Sequence, residues 1–227
     1  MISVIIPAYN EEKSLPNLVS HILTVTSNRE IEIIISDGGS SDRTVELVSE
    51  LGVLVVKSPK KGRASQMNYG ATIAKGDVLY FLHADTKPPD TFIDDIIGSI
   101  KIGYQSGCFQ LAFDRNHPLL NFYAWFTKFD IDFFRFGDQS LFIKKALFKK
   151  LGGFDENLIV MEDQMFVKRI KRQADFEILK SEIVTSSRKY KEVGIIKLQL
   201  VFTVILVLFY LGVSQKSLIK LYKRTIG

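Results

Sequence analysis

Two hydrophobic periods alternate through the first hundred residues, and this alternation limits the possible folds more than any other feature of the chain. Short runs rich in β-branched and aliphatic residues occur at 2–6, 31–35, 53–56 and 78–82. Between them lie helix-length stretches, one carrying Leu15, Leu18, Val19, Ile22 and Leu23 at helical spacing. Ser14 and Pro16 stand where helix-start residues belong, and Asp42 and Thr44 open a second stretch with Val45, Val48 and Leu51. Such alternation predicts an α/β fold, a mostly parallel sheet with helices on both faces. Ligands of such sheets bind beyond the carboxyl ends of the strands.

After residue 105 the pattern loosens. Phe109, Leu111 and Phe113 alternate like a strand, and an aromatic stretch runs from Phe122 to Phe136. The helical spacing of Phe122, Tyr123, Trp125, Phe126 and Phe129 favours core packing over an acceptor groove. Further short elements surround Gly152, Gly153 and Phe154, and an amphipathic helix is expected near 165–170. There is no internal repeat and no Pro/Gly/Ser-rich linker. One domain over 1–194, with a helical appendage at 195–227, is the expected organisation.

Composition removes several classes. Of 227 residues, 46% are hydrophobic and 24% charged, which excludes a disordered or collagen-like chain. Cys108 is the single cysteine, so no intrachain disulfide can form and a reducing, cytoplasmic compartment is expected. The first residues show no basic leader or small-residue cleavage site, so no signal peptide is expected. The net charge is +5, but the 25 acids and the lack of a concentrated basic-aromatic face argue against nucleic acid.

Near the end, only Gln199 and Thr203 interrupt the apolar run 198–213. A helix of that length reaches roughly 24 Å, short of the roughly 30 Å hydrocarbon core. Lys216, Lys220, Lys223 and Arg224 follow with no acid. Peripheral attachment at the inner face of the membrane is expected, with a helix buried in a homodimer as the alternative.

Polar residues cluster where the predicted strands end. The first strand runs into Pro7-Ala8-Tyr9-Asn10-Glu11-Glu12, the second into Ser36-Asp37-Gly38-Gly39, and the fourth into His83-Ala84-Asp85. Alone, Asp37 reads as an Asx turn and Asp85 as a turn carboxylate. Three acidic strand ends at one edge point instead to a metal-assisted phosphate site, because Mg²⁺ or Mn²⁺ bridges one or two carboxylates to substrate phosphates. Lys60, Lys61 and Arg63 open the helix after the third strand, where anions are favoured. No dinucleotide or P-loop glycine motif is present, no Cys/His set suits zinc, and Cys108 has no local partner to mark it as a nucleophile.

An ordered set of motifs then becomes apparent. The runs 3–12 (SVIIPAYNEE), 36–44 (SDGGSSDRT) and 62–71 (GRASQMNYGA) resemble family-2 glycosyltransferases of the GT-A fold. Runs 81–86 (FLHADT), 137–140 (GDQS), 151–155 (LGGFD) and 161–163 (MED) extend the resemblance. The run 185–190 (TSSRKY) is similar to the radical-SAM/selenodomain-associated transferase subgroup.

This resemblance implies transfer of a sugar from a nucleotide-diphosphate donor to a hydroxyl acceptor, with inversion and with Mg²⁺ or Mn²⁺. Residues 1–104 would form the donor half and 105–194 the acceptor half. Pro7, Tyr9 and Glu11 would line the nucleotide pocket, Asp37 would contact the base, and Arg63 would approach the phosphates, with Lys61 beside it. Asp85 matches the metal-binding end of the family's Asp-x-Asp signature, and Asp163 matches its catalytic base. His83 replaces the first acid of that signature; imidazole ligates Mg²⁺ poorly, so a hydrogen bond to the donor is its alternative role. Arg188 would place a cation over the diphosphate. A lipid-linked acceptor would account for the apolar tail. A sugar-phosphate nucleotidyltransferase and an inactive nucleotide-binding membrane scaffold are the competing readings.

Overall fold

A computed structural model describes residues 1–132, 135 and 137–226. Phe133, Phe134 and Phe136 of the aromatic stretch therefore lie outside the described residues. Strands β1 (Ile2–Ala8), β2 (Ile31–Asp37), β3 (Leu54–Lys57) and β4 (Val78–Phe81) alternate with helices α1 (Leu15–Val25), α2 (Thr44–Ser49) and α3 (Arg63–Ile73). The short β5 (Thr86–Lys87), α4 (Phe92–Lys101), β6 (Ser106–Phe113) and α5 (Pro118–Trp125) follow, then β7 (Leu141–Lys144) and α6 (Lys145–Lys150). The order closes with α7 (Glu162–Lys171), β8 (Phe176–Thr185), α8 (Arg188–Val193), α9 (Ile195–Tyr210) and α10 (Gln215–Ile226).

All eight strands form one sheet in the order β3-β2-β1-β4-β7-β6-β8-β5. The β1–β2, β2–β3 and β1–β4 ladders are parallel, which brings Ala8 opposite Asp37. β7 runs antiparallel between β4 and β6, and β6 pairs β8 in parallel. The parallel half and the expected helices on both faces are present, so the α/β, GT-A-like expectation holds.

The reason lies in strand alternation. Val4, Ile6, Ile33, Ile35 and Tyr80 face one layer, where α1 contributes Leu15, Leu18 and Ile22 and α4 contributes Phe92 and Ile96. Their neighbours Ile5, Ile34, Leu79 and Phe81 face the other layer, with Met67 of α3, Phe148 of α6 and Phe166 of α7. Strands covered on both sides read as continuous apolar runs, which is what the early segments show. Gly70 lets α3 lie directly on β1, because a Cβ there would meet Ile5 Cγ2 at 2.5 Å.

Two expectations need correcting. The apolar run expected as one helix over 198–213 belongs to a hairpin: α9 begins three residues earlier, and α10 folds back against it through Val201, Ile205 and Leu218. The bases Lys216, Lys220, Lys223 and Arg224 thus lie on α10, beside the apolar helix. Core packing does not hold for three of the described rings: Phe122, Trp125 and Phe129 are exposed, and Tyr123 and Phe126 are half-buried. Only Leu120 and Ala124 of the short α5 are buried, so its large rings are left on the outside. Among the described residues, no helix is long and apolar enough to cross a membrane.

Candidate active site

At the carboxyl edge of the sheet, the loops after β1 and β2 are tied together. Asn10, at φ 56°, donates its N–H to Ser40 Oγ at 2.9 Å, and its Oδ1 accepts from the Ser41 N–H at 2.8 Å. The Glu11 N–H donates to Thr44 Oγ1 at 2.7 Å. Beneath them, the buried Gln66 donates from Nε2 to the carbonyls of both Ala8 and Ser36 at 2.7 Å. One amide from α3 thereby joins the carbonyls of two parallel strand ends, and the Ala8 carbonyl also accepts from the Gly38 N–H at 2.8 Å.

Pro7 stands one residue before the end of β1, and Asp37 ends β2 at this edge. The buried Asp37 carboxylate accepts from the Gly39 N–H at 2.8 Å and from Ser40 Oγ at 2.6 Å, so it forms the turn that its sequence suggests. Tyr9 is exposed, and Lys61 Nζ lies 5.8 Å from its ring centroid. Glu11 accepts from Ser14 Oγ at 2.6 Å and faces Arg188 Nη2 at 3.8 Å, which brings α8 to the rim of the β1 loop.

The densest polar group lies deeper. Gly62, at φ 118°, turns the chain into α3 so that Arg63 begins the helix. Its guanidinium lies 3.4 Å from Glu162 Oε1, 3.5 Å from Asp163 Oδ2 and 3.4 Å from His83 Nε2. On the far side of the imidazole, Nδ1 is 3.0 Å from Asp138 Oδ1. His83 Nε2 is also 3.8 Å from Asp163 Oδ2. Gly137 closes this arrangement, because a Cβ there would overlap the Asp163 carboxylate and the His83 ring.

Glu162 and Asp163 occupy the first turn of α7. The helix is entered through Met161 at φ 68°, whose side chain makes no capping hydrogen bond.

The electrostatics follow from crowding. Burial pushes the Glu162 carboxyl up to about 7, the neighbouring Asp163 charge adds to the rise, and Arg63 opposes it. Glu162 Oε1 is buried with no hydrogen-bond partner among the described residues. For His83, burial and Arg63 disfavour the charge, but the Asp138 hydrogen bond and the Asp163 and Asp138 charges outweigh them and raise its pKa. Burial works against the Asp138 charge too, yet the His83 hydrogen bond and the His83 and Arg63 charges hold its carboxyl below the usual range. Glu162, Asp163, Asp138 and Asp85 together hold the Arg63 guanidinium charged against its desolvation.

Asp85 differs from the other acids. It is half-buried, and its carboxylate makes no hydrogen bond or ion pair among the described residues. No group of three or more His, Cys, Asp or Glu side chains suited to a metal occurs among those residues. One free carboxylate nevertheless suits Mg²⁺ or Mn²⁺, which can complete its shell with substrate phosphates and water. Both ring nitrogens of His83 face protein groups, so of the two residues at the Asp-x-Asp position only Asp85 offers a free donor.

Of the residues singled out in the sequence, Arg63, His83 and Asp163 meet in one cluster, with Glu11 and Arg188 paired at the rim and Tyr9 beside Lys61. Asp138, Glu162, Gln66 and Gly137 were missing from that set. The 137–140 and 62–71 runs contained three of them, but nothing local distinguishes Asp138 from a turn acid or Gln66 from a surface amide. Their partners are supplied by other strands.

Known proteins resemble this chain in sequence and in fold. The sequence profile described as Glycosyl transferase family 2 matches residues 3–149. An undecaprenyl-phosphate 4-deoxy-4-formamido-L-arabinose transferase of Pectobacterium carotovorum subsp. carotovorum (strain PC1) is 34% identical over 130 residues, 48% of this chain and 39% of that protein. A dolichol-phosphate mannosyltransferase of Pyrococcus furiosus is 38% identical over 107 residues, 45% of this chain and 30% of that protein. The chain thus spans well under half the length of these curated relatives. Among solved structures, S. aureus TarS 1-349 has a TM-score of 0.68 at 21% identity, over 83% of this chain and 61% of that one. Mannosyltransferase PcManGT from Pyrobaculum calidifontis, in complex with GDP-Man and Mn²⁺, has a TM-score of 0.65 at 17% identity, over 81% of this chain and 56% of that one. At these identities the two structures show a shared fold.

Proposed function

This chain belongs to glycosyl transferase family 2, and from that premise we propose that it transfers a sugar, with inversion, from a nucleotide-diphosphate donor to a hydroxyl acceptor. The observation that carries this reading is the joining of Arg63 and His83, from the donor half 1–104, to Asp138, Glu162 and Asp163, from the acceptor half 105–194. A group-transfer site needs a base and a leaving-group cation within one substrate's reach, and this cluster supplies both.

Asp163 is the general base. It takes the proton from the acceptor hydroxyl as that oxygen bonds to the anomeric carbon and the bond to the diphosphate breaks on the opposite face. Arg63 stabilises the charge that develops on the departing diphosphate, with Lys61 and Arg188 approaching from the rim. Asp138 holds the His83 ring so that Nε2 faces the space shared by Arg63 and Asp163. Pro7, Tyr9, Glu11 and Asp37 receive the nucleotide. Asp85 would hold Mg²⁺ or Mn²⁺, which when bound neutralises diphosphate charge.

Two relatives are named for polyprenol phosphates, and the tail is apolar and basic, so a lipid-linked acceptor and peripheral membrane contact through 195–227 complete the reading. The run 185–190, where β8 passes into α8, supports the radical-SAM/selenodomain-associated subgroup.

The test is nucleoside diphosphate release across a panel of nucleotide sugars, with and without Mn²⁺. Release stimulated by metal in the wild type, and no longer stimulated in Asp85→Ala, is expected. Pyrophosphate turnover would identify a nucleotidyltransferase, and binding without turnover an inactive scaffold.

A further inference from the structure

Helix α5 and the 3₁₀ turn Phe126–Lys128 present two unlike sides. Leu120, Ala124 and Thr127 are buried, and Thr127 Oγ1 accepts from the Leu111 N–H of β6 at 3.0 Å. The opposite side carries Phe122, Trp125 and Phe129, exposed by 55%, 48% and 41%. These rings form one connected surface: Phe122 meets Phe126 at 5.0 Å, Trp125 meets Phe126 at 5.2 Å, and Trp125 meets Phe129 at 4.6 Å. Scattered exposed apolar residues are ordinary, whereas a contiguous aromatic face marks an interaction surface.

Its surroundings indicate the partner. Residues 115–129 include Arg115, His117 and Lys128 and no acid, while Asp114 and Asp130 flank them and Lys128 pairs with Glu182 at 3.6 Å. Tyr190 of α8 meets Phe113, the last residue of β6, at 5.4 Å, and β6 is the strand to which Thr127 is bonded. Tyr190 packs on Phe202 of α9 at 6.5 Å, and Phe202 stacks on Tyr222 of α10 at 6.4 Å. Gln139, next to Asp138, donates to the Phe109 carbonyl of the same strand at 3.3 Å, so α5, the turn carrying Asp138 and the tail hairpin all meet β6 or its end. Residues 188–227 hold eight Lys or Arg against one Glu, while residues 1–187 hold 22 bases against 24 acids. The positive charge is concentrated in the segment that begins at α8 and packs at the end of β6. A second copy would bring two such basic segments together, whereas an anionic lipid surface complements them.

We propose that the Phe122–Trp125–Phe129 face is a second membrane contact, seated at the headgroup level of an anionic bilayer beside the tail, which turns the acceptor side of the site toward the lipid. Aromatic rings favour that depth, where an apolar body and a polar surround coexist. The purpose of the contact rests on the lipid-linked acceptor reading, but the contact itself is measurable without donor or acceptor.

Trp125 is the chain's one tryptophan, so intrinsic emission reports on this face alone. Full-length protein is mixed with phosphatidylcholine vesicles, with vesicles also containing phosphatidylglycerol, and with the same vesicles carrying brominated acyl chains. Expected are a blue shift and bromine quenching that require the anionic lipid. Phe122→Ser combined with Phe129→Ser should weaken partitioning roughly tenfold, as two ring transfers imply, with unchanged circular dichroism. Lys216→Glu with Lys220→Glu should reduce the bound fraction while the bound protein still shows quenching. Flotation with unshifted, unquenched Trp125 would leave the tail as the only contact and overturn the proposal. So would an emission shift that depends on protein concentration without lipid and accompanies a doubled mass. Absence of any vesicle binding overturns it as well. None of these outcomes touches nucleoside diphosphate release, which tests the glycosyl-transfer reading separately.

Discussion

Asp37 and Asp163 stand at the same sheet edge and are held in opposite ways. Asp37 is buried and spends its oxygens on its own turn, the N–H groups of Gly39 and Ser40 and the Ser40 hydroxyl. Asp163 faces groups from three distant segments, Arg63, His83 and the Gly137 turn. An acid satisfied by its neighbours builds the loop and has only its remaining lone pairs to offer a nucleotide, while an acid whose partners come from elsewhere can exchange a proton with a bound substrate. The difference lies in who supplies the partners.

The contrast breaks first at Asp163. Asp163→Asn retains the shape and loses the base, so turnover should fall at least about a hundredfold, the lower range for acid–base catalysis. The thermal midpoint should move by no more than about 3 °C, less than a typical destabilising mutation produces in a domain this size. Steady-state assay beside a melting curve decides this, and near-normal turnover removes Asp163 as the base.

A smaller effect in the other currency is expected at Asp37. Asp37→Ala leaves two N–H groups and a hydroxyl to find new partners, which costs about 1–3 kcal/mol of stability for a buried acceptor. Denaturant midpoints measure it. If Asp37→Ala proves as stable as the wild type, the turn does not depend on that carboxylate, and the contrast with Asp163 fails.

The same distinction explains what could be read from the sequence. Val4, Ile5 and Ile6 announce a strand covered on both faces because their chemistry is local, and the early helices follow from Leu15, Leu18 and Ile22 in the same way. Arg63, His83 and Asp163 were found through motif order, without their mutual distances. Asp138 and Glu162 were not separable from ordinary turn and first-turn acids, since each acquires its role from residues about 55 to 99 positions away. The outward aromatic face of α5 was misread for a related reason. Helical spacing shows that Phe122 and Trp125 share a side, but only the packing of Leu120 and Ala124 on β6 shows which side is inside.

The smallest predicted effect concerns Glu162, whose environment lies between those of the other two acids. Its carboxyl is pushed from an ordinary 4.5 to about 7 by burial and by Asp163, against the pull of Arg63. The folded chain therefore keeps a proton that the unfolded chain has already released between those two values. This contribution to stability is full below 4.5 and is lost as pH rises through about 7. One such group can tilt stability by at most about 1.4 kcal/mol per pH unit, and the half-exposed Arg63 beside it makes the tilt smaller. His83, also raised, tilts in the same direction at higher pH, so the measurement is a difference. Glu162→Gln, with a side chain that cannot ionise, should show a flatter denaturation profile than the wild type from pH 5 to 7. It should also be the more stable of the two at pH 7 if burial outweighs the Arg63 ion pair, because no charge must then be held at the buried Oε1 position. Parallel profiles across that interval would mean that Glu162 is ionised throughout and that Arg63 outweighs its burial. In that case Glu162 belongs with Asp163, among the acids whose charge the site is built to keep.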